Sequence, residues 1–95
     1  CQAKRQNLAR HIGVSNFPVA LLDEALAIAT EPLVANQCEY HPLLDQSAVL
    51  AACRRHGLAF TSYCPLGRAE ALTNPVIQSI AAAHGRTPAQ IVLRW

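Results

Sequence analysis

The stretch "HIGVSNFPVALLDEAL", residues 11–26, packs a strand, a turn and the first turns of a helix into one short run. His11 to Val14 is too short of polar alternation for a solvent-facing strand and reads as a buried one. Ser15 and Asn16 then break the apolar run. Phe17-Pro18 opens a helix over about 18–29, with Pro18 in its first turn, Leu21, Leu22, Ala25, Leu26 and Ile28 as an apolar stripe, and Asp23 and Glu24 facing water. Small polar residues at the exit of a buried strand need a reason, because an apolar residue would pack better there.

The same unit recurs along the chain. A second apolar strand begins at Leu33-Val34-Ala35 and ends in the polar run Asn36-Gln37-Cys38-Glu39-Tyr40. After His41-Pro42, a helix is expected from about Gln46 to Arg55, with Asp45 as N-cap and Gly57 as its stop. Leu58 to Tyr63 is the third strand, and a loop from Cys64 to Ala69 follows it. Asn74-Pro75 and Thr87-Pro88 each pair a capping side chain with a first-turn proline, so two more helices start there. Residues 1–8 read as the end of a helix, with Lys4 exposed on it.

Strand starts near 11, 33 and 58 give a steady strand–helix rhythm. Apolar strands alternating with helices imply a parallel sheet covered by helices. Of the two architectures available, an open doubly wound sheet would normally carry G-x-G-x-x-G after its first strand, and that run is absent. The polar residues collect at strand C-termini instead: Ser15-Asn16, Asn36-Gln37-Glu39 and Thr61-Ser62-Tyr63. That pattern fits a closed barrel with a ligand at its C-terminal mouth.

Composition narrows the function. The chain has 95 residues, 52% hydrophobic and 15% charged, with a net charge of +2, which excludes a disordered or fibrous protein. Its basic residues are scattered apart from Lys4-Arg5 and Arg54-Arg55, so no nucleic-acid surface is expected. No apolar run approaches the ~20 residues that span a bilayer. The cysteines at 1, 38, 53 and 64 lack metal-ligand spacing and read as reduced thiols of a cytoplasmic protein. Cys38 and Cys53 are expected in the core and Cys64 at a rim. The chain starts at Cys1, contains no Met and stops in Ile-Val-Leu-Arg-Trp, so both ends read as cut.

The segments GVSNF (13–17), NQCEYHPLL (36–44), YCPLGR (63–68) and HGRTPAQIVLRW (84–95) occur in the order and spacing of one family. From about residue 8 onward the chain resembles the aldo-keto reductases, with the flavour of bacterial diketogluconate-reductase-like members. The resemblance implies a (β/α)8 barrel domain of about 250 residues or more, of which residues 1–95 would be βα units five to seven. It also implies NADPH as the default cofactor, with NADH the open alternative, a small-molecule carbonyl substrate, and a monomer as the complete protein.

Position by position, the resemblance places Ser15 and Asn16 on the nicotinamide carboxamide, with Gln37 on the same amide. Tyr63 is the ring on which the nicotinamide stacks, and Leu66 and Gly67 belong to the loop along the pyrophosphate. Cys64 stands where the motif usually has a serine able to reach the pyrophosphate, and a thiol is a weaker donor. Ala69 replaces a glycine common in this loop. The physics suits these roles: Ser, Asn and Gln can together satisfy the one acceptor and two donors of a primary carboxamide.

The family's catalytic tyrosine, lysine, aspartate and histidine come from strands two to four, so no catalytic residue is expected within residues 1–95. Tyr40-His41 imitates an acid–base pair but reads as a structural turn, and Glu39 as a structural partner. His56 and His84 precede glycines and read as helix-end residues. Read alone, the 95 residues would be inactive and prone to aggregate through unpaired strand edges. The rival reading is a cofactor-binding relative with a regulatory or scaffold role and no catalysis.

Overall fold

The computed structural model describes residues 1–95. Its strands are β1 (Ile12–Ser15), β2 (Leu33–Glu39) and β3 (Ala59–Tyr63). Its helices are α1 (Gln2–Arg5), α2 (Val19–Ile28), α3 (Ser47–His56), α4 (Pro75–Ala83) and α5 (Pro88–Arg94). The strands form one parallel sheet in the order β1-β2-β3. Sequential neighbours in a parallel sheet, each joined by a helical crossover, are the repeating unit of a (β/α)8 barrel. No helix is long and apolar enough to cross a membrane.

Two compact units divide the chain. The first holds residues 1–38 and 46–61. Its core is Leu22 of α2, Ala52 and Cys53 of α3, and Leu58, with Val14, Phe17, Leu26 and Phe60 packed around them. The expected stripe of α2 is therefore only partly correct: Leu22 is fully buried, whereas Leu21 and Ile28 are 48% and 74% exposed. In β1 and β2, Ile12 pairs with Leu33, Val14 with Asn36 and Ser15 with Gln37, and the register slips between Ile12 and Val14. Gly13 sits at that slip. A Cβ there would lie 2.8 Å from the Ala35 carbonyl oxygen, so only glycine admits the approach.

Helix α3 ends at Gly57 with φ +69, and the amides of Gly57 and Leu58 bond back to the carbonyls of Arg54 and Cys53. Its N-cap is Gln46 rather than the expected Asp45, and no side chain caps it. Lys4 is also corrected: it is half-buried and lies 3.7 Å from Glu31, while Arg5 bonds Thr30 at 3.2 Å. His56 ends α3 as expected and also bonds Asp23 of α2 at 2.9 Å.

Asn36 is fully buried in this core. Its Nδ2 donates to the Phe17 carbonyl at 2.9 Å, and its Oδ1 accepts from the Phe17 amide at 3.4 Å. The carboxamide thus acts as a short strand edge for the turn after β1. Asn36 also hydrogen-bonds the Cys53 side chain. Burial pushes the Cys53 thiol up from its ordinary value, Cys38 nearby pushes it the same way, and the Asn36 bond opposes both.

The second unit holds residues 39–45 and 62–95. Ala71, Ile77 and Val92 form its core, with Leu66 and Ile91 against them. Asn74 caps α4 by accepting from the amides of Val76 and Ile77. Thr87 and Gln90 form a reciprocal capping box on α5. Both starts agree with the sequence reading. An unforeseen 3-10 segment, Gly67–Thr73, precedes α4, with left-handed backbone at Arg68 and Ala69. Tyr40 stacks on Trp95 with ring centres 4.8 Å apart.

Candidate functional site

At the end of β1 the chain must leave the sheet and enter α2 within three residues. Asn16 makes the turn with φ +60, a left-handed conformation that asparagine adopts more readily than most residues. Its amide donates to the Gln37 carbonyl at 2.8 Å, and the Ser15 hydroxyl donates to the same oxygen at 3.0 Å. Asn16 Nδ2 in turn donates to Ser15 Oγ at 3.2 Å. One carbonyl on β2 therefore gathers Ser15, Asn16 and Gln37 at the strand C-termini, all three exposed to solvent.

The proton of Ser15 Oγ is committed to the Gln37 carbonyl, so the oxygen's remaining lone pair offers an acceptor. The side-chain amides of Asn16 and Gln37 can each donate and accept. Directly beneath, Asn36 clamps Phe17 by both backbone groups and keeps the turn in place. Asn36 is the support of this turn that sequence reading missed. Its position next to Gln37 was visible, but not that its side chain points into the core.

In the second unit, Tyr63 closes β3 and is half-buried, and its carbonyl accepts from the Tyr40 amide at 3.3 Å. Cys64 follows with φ +47 and an exposed thiol. Leu66 anchors the loop by packing on the unit's core. Gly67 is buried at φ +55, but its own N–H donates to the Cys64 carbonyl at 2.9 Å. The glycine is needed for its backbone conformation and for the imidazole of His41, whose ring atoms would lie 3.3 Å from a Cβ. Arg68 and Ala69 continue the left-handed run with φ +54 and +72. At Ala69 a methyl group thus occupies a conformation that favours glycine.

His41 itself is buried. Its Nδ1 accepts from the Leu43 amide at 3.3 Å, so the neutral ring carries its proton on Nε2, which donates to Glu39 Oε1 at 3.1 Å. The structural reading of both residues agrees with these contacts. Cys38 and Cys53 are buried, and Cys1 and Cys64 exposed.

A family model for the aldo/keto reductase family matches residues 2–95. Methylglyoxal reductase DkgB of Escherichia coli O157:H7 is 42% identical over 95 residues, which is 99% of this chain and 36% of that protein. Among solved structures, aldose reductase from Giardia lamblia superposes with a TM-score of 0.92 at 33% identity, over 99% of this chain and 33% of that one. A Gox0644 variant in complex with NADPH gives 0.89 at 36% identity, covering 99% and 35%. The chain thus spans about a third of the length of the proteins it matches.

Proposed function

The chain belongs to the aldo/keto reductase family, and on that premise we propose that it supplies the nicotinamide- and pyrophosphate-holding residues of an NADPH-dependent reductase of aldehydes and ketones. In this reading residues 1–95 belong to one barrel domain, with the proton-donating residues contributed by strands outside them. The complete protein works as a monomer. Bound NADPH supplies the hydride, and Ser15, Asn16, Gln37 and Tyr63 hold and orient its ring.

The observation that carries the proposal is the gathering of Ser15, Asn16 and Gln37 around the Gln37 carbonyl. Ser15 Oγ accepts from the carboxamide N–H, and the Asn16 and Gln37 amides answer its carbonyl and second N–H. Tyr63 offers an aromatic face for the ring, which selects the face that points at the substrate. Leu66 and Gly67 hold the loop along the pyrophosphate, with Cys64 at its start. The relatives support the reading through what they are: a methylglyoxal reductase and a structure holding NADPH.

The test is NADPH binding by fluorescence titration, together with NADPH consumption on methylglyoxal and simple aldehydes, in the intact protein. Saturable binding, turnover, and a rise in Kd of about tenfold for Gln37→Ala and for Tyr63→Ala, about 1.4 kcal/mol each, are expected. Binding without turnover would replace the reductase by a cofactor-binding protein of regulatory role. Absence of binding would overturn the proposal.

A further inference from the structure

We propose that Glu39 and His41 are a positioning pair that holds the Leu66–Ala69 loop in the conformation that meets the cofactor, an inference that rests on the cofactor reading above. The loop carries three successive left-handed residues, Gly67, Arg68 and Ala69, at φ +55, +54 and +72. Two of them have side chains, and such backbone persists only where its surroundings over-determine it. Leu66 secures one end by packing on Ala71, Ile77 and Val92. Gly67 rests against the His41 ring, the surface that a Cβ would meet at 3.3 Å.

That surface is useful only while the ring keeps its plane. Both ring nitrogens are engaged: Nδ1 accepts from the Leu43 amide, and Nε2 donates to Glu39. Two bonds at opposite edges of a five-membered ring fix its orientation as one cannot. Glu39, His41, Gly67, Arg68 and Glu70 line one cavity, so the pair and the loop face the same space. The imidazole is thereby a wedge set by β2 and its exit turn, and the loop is shaped on it. Neither Glu39 nor His41 is assigned a contact with the cofactor.

The experiment measures NADPH Kd by fluorescence titration, the urea midpoint, and KM and kcat, all in the intact protein. His41→Ala removes the wedge and is expected to raise Kd about tenfold, with KM for NADPH rising in step and kcat changing by less than about twofold. His41→Gln keeps a planar amide that donates toward Glu39, and restores Kd to within about threefold of wild type. Glu39→Ala frees the Nε2 edge of the ring and is expected to raise Kd at least about threefold, so it reads the proposal if His41→Ala fails to fold. Glu39→Gln keeps an acceptor for Nε2–H and stays within about threefold. A purely structural pair would lower the urea midpoint and leave the Kd of the folded fraction unchanged in His41→Ala and Glu39→Ala, which would overturn the proposal. If wild type binds NADPH and Gln37→Ala weakens it while His41→Ala and Glu39→Ala bind normally, this inference alone falls. If wild type does not bind, the cofactor reading falls first.

Discussion

Replacing Asn36 by alanine strikes the support beneath the proposed carboxamide site without touching Ser15, Asn16 or Gln37. The side chain is fully buried and bonds Phe17 twice, at 2.9 and 3.4 Å. Its loss leaves a carbonyl and an amide short of partners in a part-buried turn, at about 1–3 kcal/mol for each unsatisfied group. The longer bond is weak, so its share lies at the low end of that range. A lost bond to Cys53 and a carboxamide-sized void add to the cost. About 3 kcal/mol in total is expected. Urea unfolding of the intact protein measures it, with a lower midpoint at unchanged m-value. Because Phe17 adjoins Asn16, NADPH Kd rises as well. Asn36→Asp is expected to be at least as damaging at neutral pH, since it faces the Phe17 carbonyl with a buried carboxylate, and to recover as the pH falls and the acid is protonated. A loss below about 1 kcal/mol in Asn36→Ala would refute the argument, because the two bonds would then be worth no more than an average pair exposed to water.

Three further outcomes follow from particular positions. Gly13→Ala puts a Cβ 2.8 Å from the Ala35 carbonyl oxygen; the strands must part, and a loss of about 1–3 kcal/mol by urea unfolding is expected. Ala69→Gly relieves a methyl group at φ +72; a gain of up to about 1 kcal/mol is expected, reduced by the freedom glycine adds to the unfolded chain, and a loss would show that Ala69 is not strained. Cys53 is a raised acid, so the folded state keeps its proton longer than the unfolded one does. Its contribution is complete below the ordinary thiol value of 9.0 and is lost as pH rises through the higher folded value. Urea midpoints across alkaline pH should therefore fall in wild type and fall less in Cys53→Ala.

The legible parts of the fold were those that depend on neighbours in sequence. Asn74-Pro75 and Thr87-Pro88 marked helix starts because a cap bonds amides within the next three residues. Gly57 marked a helix stop because only a left-handed residue closes that turn readily. Asp45 failed as a cap by one position, Gln46 taking that place without a side-chain bond. Leu21 and Ile28 have the helical spacing of core residues, yet stay exposed, because spacing names a face and packing chooses how much of it is covered. The 3-10 segment at Gly67–Thr73 left no periodic trace, since left-handed backbone at Arg68 and Ala69 interrupts it.

The site divides along the same line. The residue types at the strand ends, Ser15-Asn16, Gln37 and Tyr63, were readable because small polar groups after a buried strand serve packing poorly. Which of their atoms remain available was decided by long-range bonds: Ser15 gives its proton to Gln37, 22 residues away, and Gly67 spends its amide on the turn. By itself the sequence determined the parallel βα plan, the helix ends and the polar exits of the strands, because these follow from periodicity and local capping. Only the tertiary structure decided that Asn36 turns inward to clamp Phe17 and that His41 lies against Gly67. Those choices depend on satisfying buried polar groups across distant segments, and no local pattern encodes which partner stands opposite.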